Sequence, residues 1–204
     1  MSNSSLNANP LLASHTLPPF SSILPEHVEP AIQQLINESR AQLAKTLSQS
    51  TAPTWNSLVA PLEAQSDKLD QAWSPVSHLN AVANSEALRD AYTRSVALLT
   101  EYGTEVSQNQ ALYDAYAALR ASEEYVTLST AQQKAIDNAL RDFRLGGVAL
   151  PPADKKRFGD IQQRLSELST QFSNNVLDAT QAWFKHFESV DALAGLPESA
   201  LAQA

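Results

Sequence analysis

The stretch PPADKKRFGDIQQRLSELSTQFSNNVLDATQAWFKHF, Pro151 to Phe187, decides the fold. After its opening prolines it contains no further proline. Phe158, Ile161, Leu165, Leu168, Phe172, Val176, Ala179 and Trp183 recur at steps of three and four, which places them on one stripe of a 3.6-residue helix. Lys155, Lys156, Gln162, Gln163, Arg164, Glu167 and Gln171 occupy the other face, which water can hold. The spacing predicts a helix from Pro152 to about Ala179, roughly 40 Å long at about 1.5 Å per residue. Such a rod would be the central element of the domain, with shorter helices packed along its stripe. Asn174-Asn175 is the odd part, because Asn forms helix poorly and competes for backbone hydrogen bonds. It reads either as a solvated irregularity or as a polar contact to another domain.

Upstream, residues 1–16 read as a loose arm pinned by Leu11 and Leu12. Leu17-Pro18-Pro19-Phe20 is extended, as a residue before proline must be. Pro25 suits a first helical turn, with Glu26 and Glu29 at the positive end of the helix dipole. Val28, Ile32, Leu35, Ile36, Leu43 and Leu47 carry that helix to about residue 47, and Pro30 bends its start. A second helix begins near Pro53-Thr54, with Pro61 kinking it. Trp73-Ser74-Pro75 punctuates, so Pro75 opens a short third helix. Asn84-Ser85 caps a fourth on Leu88, Tyr92, Val96 and Leu99. After a break near Asn109, Leu112, Tyr113, Tyr116 and Leu119 continue to Arg120. Ser129 with Gln132 is a capping box ahead of Ile136, Leu140 and Phe143, and Gly146-Gly147 ends that helix.

Downstream, residues 183–188 read as extended, and Leu196 to Leu201 as the opening turn of a helix that the chain cuts short. The expectation is an all-α, multi-helix antiparallel array of six to eight helices with negligible sheet. Its parts would be an arm (1–16), a helical N-terminal domain (17–190) and the start of a connection (191–204).

Composition narrows function. The chain has 204 residues, 43% of them hydrophobic, with only five Gly and a net charge of −8. That length makes one compact domain the default, or two small ones, with a real core. The acidic balance argues against nucleic acid and suits a cytoplasmic protein. With no Cys, neither a disulfide framework nor a thiolate site is possible. No secretory signal and no membrane-spanning run is seen.

The chemistry-bearing residues do not assemble into a motif. His15, His27, His78 and His186 include no i, i+4 pair, so no single helix offers two zinc ligands. His27 reads as a capping or solvated residue, His78 as a hydrogen-bonded core residue and His186 as surface. Glu123-Glu124 and Glu101 with Glu105 read as solvated carboxylates, since acid–base work needs a cleft that splits their pKa values. Arg141, Asp142 and Arg144 beside Gly146-Gly147 could grip a peptide carboxylate; equally, they complement a helix C-terminus. Tyr92, Tyr102, Tyr113 and Tyr116 line either a groove or the edge of a core. No catalytic residue and no metal ligand is assigned, and the substrate-binding residues are unknown.

Four segments carry a resemblance. They are Leu165 to Thr180 followed by Leu193-Ala-Gly-Leu-Pro-Glu198, Leu17 to Ile32, Ala72 to Ala81, and Asn138 to Gly147. Taken in chain order, they are similar to the thimet oligopeptidase family of zinc metallopeptidases. The resemblance implies a helical clamshell whose catalytic half holds zinc through H-E-x-x-H and a downstream Glu. This chain would belong to the other half, which walls a channel admitting short, unstructured peptides. None of the zinc-binding residues is present here, so none is carried over. The chain would be inactive alone, and the missing C-terminal catalytic portion would be its partner, leaving an exposed apolar patch where that portion docks. The runner-up is a stand-alone helical module that binds peptides or proteins and has no catalytic parent.

Overall fold

The computed structural model describes residues 9–203. Among the described residues seven α-helices and short 3-10 or π turns are present, and no strand. The helices are α1 (Pro25–Leu47), α2 (Ala60–Val82), α3 (Glu86–Ser107), α4 (Gln110–Arg120), α5 (Thr130–Leu145), α6 (Pro152–Ala182) and α7 (Glu198–Leu201). The chain divides into two compact units, one ending at Glu167 and one beginning at Leu168, so α6 belongs partly to each.

The local signals act as their chemistry requires. Pro25 takes the first position of α1, and the Nδ1 of His27 accepts the Leu24 N–H at 3.1 Å. Ser85 and Asn109 cap α3 and α4 by accepting the N–H of Leu88 and Leu112. Ser129 and Gln132 form the capping box of α5. Gly147 stands at φ +88°, a conformation that glycine adopts without strain, and turns the chain toward α6.

The first unit holds two cores. In one, Val28, Ala31, Ile32, Leu35 and Ile36 of α1 meet Leu69, Ala72 and Val76 of α2, Leu88 and Ala91 of α3, and Leu11 and Ile23 from the preceding segment. In the other, Leu43 meets Leu58, Val59, Leu112, Tyr116, Leu119, Ile136, Leu140, Phe143 and Val148. α1 is therefore the helix common to both. The sequence pointed to α6 as the central element, and the structure corrects this: α6 buries no residue. Its polar and small side meets α3 instead. Lys155 Nζ donates to the Gln108 carbonyl at 3.1 Å, Gln108 Nε2 donates to the Lys155 carbonyl at 3.2 Å, and the Thr100 hydroxyl donates to Ser166 Oγ at 2.9 Å. Thr100, Thr104 and Gln108 lie at i, i+4, i+8, a polar line on α3 that takes a polar line on α6.

Two further expectations change. Pro75 does not open a third helix; α2 runs through it, because Ala72, Pro75 and Val76 are all buried and packing offsets the lost backbone bond. Pro61 does not kink a helix interior. It falls at the start of α2, behind a π turn at Trp55–Val59 whose wider hydrogen bond runs from the Ala60 N–H to the Trp55 carbonyl. Asn174-Asn175 causes no irregularity, since α6 is continuous across it.

Candidate functional site

An open groove of about 870 Å³ lies in the first unit, between the segment 10–19 and helices α1 and α2. One wall is fixed by Asn9. Its Oδ1 accepts the Leu11 N–H at 3.0 Å and its Nδ2 donates to the His27 carbonyl at 2.8 Å, which ties the segment to the start of α1. Leu11, Ile23, Leu35 and Pro75 make an apolar floor, and Glu38, Asp67, Asp70 and Lys68 bring charge to its rim. Gln34 Nε2 donates to Glu38 at 2.9 Å and Gln71 Nε2 to Asp67 at 2.7 Å, so two of these carboxylates are held along their own helices. The groove can hold an extended polar chain on an apolar base; it brings no nucleophile against a base.

The residues singled out in the sequence lie apart. His15 Nε2 sits 3.0 Å from the Pro10 carbonyl, and His27 caps α1. His78 is exposed, its ring 5.4 Å from that of Phe20, so it is not the core histidine expected. His186 is exposed, in the second unit. Glu105 accepts Arg40 at 2.7 Å rather than pairing with Glu101, and Glu124 accepts the Trp55 N–H at 3.2 Å, holding the π turn. Arg141 is occupied by Asp142 and Asn138, while Arg144 reaches the Tyr113 hydroxyl at 3.4 Å, so the two guanidinium groups do not converge on one carboxylate. The tyrosines divide between the cores. Tyr92 stacks on Trp73 at 4.8 Å, and Tyr102 packs at the first core, its hydroxyl pKa raised by burial. Tyr113 and Tyr116 meet Phe143 edge-on, and burial pushes Tyr116 up to about 12.

Sequence reasoning missed two arrangements. Asn9 before Pro10 is an N-cap followed by a first-turn proline, a signal present but unread. Arg120 lies 4.0 Å over the Tyr125 ring and donates to Asp137 at 2.7 Å, and Tyr125 donates to the same carboxylate at 3.1 Å. The Arg120 hydrogen bond, aided by that from Tyr125, holds the Asp137 carboxyl below its usual range. These residues span α4, a turn and α5, so only the fold joins them.

The second unit presents a different surface. Leu168, Phe172 and Val176 are exposed along α6, as are Trp183 and Phe184 after it. In the first unit, Ile161 and Leu165 of the same helix are also exposed.

Residues 32–156 match the family model described as Neurolysin/Thimet oligopeptidase, N-terminal domain. The chain belongs to the neurolysin/thimet oligopeptidase family. It is 52% identical over 196 residues to Oligopeptidase A of Escherichia coli, a match covering 96% of this chain and 29% of that protein. Against Oligopeptidase A of Haemophilus influenzae it is 52% identical over 194 residues, covering 95% and 28%. Against that of Salmonella typhimurium it is 50% identical over 196 residues, covering 96% and 29%. The chain thus spans less than a third of the length of these curated relatives. As a portion of a neurolysin/thimet oligopeptidase it can be tested for fit to a metal. Among the described residues no three His, Cys, Asp or Glu side chains come together as a metal site. The donors present do not fit zinc, because the histidines sit on separate elements and two of them already contact backbone groups.

Proposed function

We propose that this chain is the N-terminal, channel-wall portion of a zinc metallo-oligopeptidase that hydrolyses short, unstructured peptides in the cytoplasm. The 52% identity to an Oligopeptidase A over 96% of the chain carries this reading. The zinc ligands and the catalytic groups belong to the remainder of the polypeptide, which is this portion's partner. This portion contributes shape: a rigid two-core helical unit that bounds the space a peptide enters, and a groove able to hold an extended chain. No helix among the described residues is long and apolar enough to cross a membrane, which accords with a cytoplasmic peptidase. A stand-alone binding module is not favoured, since the match runs through nearly the whole chain to proteins more than three times its length.

Two measurements test the proposal. The gene read past codon 204 should encode H-E-x-x-H; its absence there sinks the assignment. A fluorogenic short-peptide assay should show chelator-sensitive turnover by the full-length protein and none by the 204-residue chain, with or without zinc. Turnover that follows the short chain through purification would overturn the division of labour.

A further inference from the structure

Among its described residues, the unit that begins at Leu168 contains no buried one. Yet its helix carries a line of large apolar side chains at steps of four: Leu168 is 43% exposed, Phe172 70% and Val176 49%. Trp183, just past the helix end, is 75% exposed. Removing such side chains from water is favourable in proportion to the apolar area buried, so a bare line of them is a surface with a strong drive to be covered. The pattern i, i+4, i+8 is the one an amphipathic helix uses to enter an apolar groove. No charged residue interrupts the line itself, so the complementary surface is apolar rather than acidic or basic.

Two observations say what covers it. The match to the family's N-terminal domain model covers residues 32–156 and stops before this line begins. The relatives carry more than three times the length of chain matched here. We propose that Leu168, Phe172 and Val176 form a docking face for the part of the full-length polypeptide that follows residue 204, met through an apolar helical surface. The segment from Leu168 onward is then the leading element of the next domain, and its core is completed by later chain. This rests on the reading of a longer parent protein, and it adds which surface joins the two parts.

The chain has no Cys, so Phe172→Cys and Gln181→Cys each place a single thiol in this portion. Gln181 lies nine residues on and half a turn round the helix from Phe172. Each variant is made in the full-length protein and in the 204-residue chain. Labelling by N-ethylmaleimide is read on the peptide that contains the new thiol. The Phe172→Cys thiol should react at least about tenfold more slowly in the full-length protein, and the Gln181→Cys thiol within about twofold in both. Hydrogen exchange of residues 168–182 in the two unsubstituted proteins gives the same comparison without a substitution, and should be slower by about tenfold or more in the full-length protein. Equal labelling and equal exchange in both proteins overturn the proposal. So does protection of Phe172→Cys in the short chain that vanishes on dilution, which assigns the face to a second copy. Chelator-sensitive turnover is scored separately: its loss would sink the proposed function and leave the labelling able to decide the docking face.

Discussion

Helices α1 and α6 carry the same kind of apolar stripe and meet opposite fates. α1 is 23 residues long and buries eight of them. α6 is 31 residues long and buries none. Both open on a proline with an acidic residue in the first turn. The difference lies in what surrounds them. α1 packs against α2 and α3, and also against α4 and the π turn. α6 lies against the polar line of α3, and that line takes the polar side of α6. Periodicity states that a face needs covering; it does not state which residues in the chain will cover it.

The comparison can be broken by four measurements. The largest effect belongs to Ile32→Ala in α1, where the side chain is completely buried; it should cost about 2–5 kcal/mol in chemical denaturation. A cost near zero would mean that α1 is not the common support. The second concerns alkaline pH. Burial raises the Tyr116 phenol to about 12. Its unfolded form ionises near 10, so stability is complete below that pH and falls as pH rises toward 12, by about 3 kcal/mol. Tyr116→Phe should remove the largest part of that fall, leaving the smaller part due to Tyr102 and Tyr125, whose phenols burial also raises. None of the five tyrosines lies in α6, so high pH strikes the cores that α1 serves. The third is Gly147→Ala at the turn between α5 and α6. A Cβ there would stand 2.7 Å from Leu150 Cδ1 at φ +88°, and a loss of about 1–2 kcal/mol is expected in denaturant melts. Last comes Leu165→Ala on α6, 53% exposed. In the isolated chain it should change stability by no more than about 0.5 kcal/mol. A loss as large as that of Ile32→Ala would show that the α6 stripe is already covered.

Local signals were legible wherever the chemistry is local. The bounds of α1, the break at Asn109, the capping box of Ser129 and Gln132, and the extended stretch after α6 all rest on neighbours within a few residues. The interior proline of α2 was not legible, because its tolerance depends on a core assembled from α1 and α3. His78 was misread for the same reason: an apolar neighbour, Leu79, suggested burial, and the helix turned the ring outward onto Phe20. The family was legible in four ordered segments. The candidate site was not, since the groove is walled by a pinned segment and two helices whose residues are far apart in sequence, and Asn9, which fixes it, looks like any asparagine before a proline.

Because one helix serves both cores, neither core can melt by itself without stripping half the packing from a rod the other still holds. Ile36 and Leu43 are two turns apart on that rod, and the boundary between the cores falls between them. Unfolding of the first unit should accordingly be a single transition, with tryptophan and tyrosine signals from the two cores changing together.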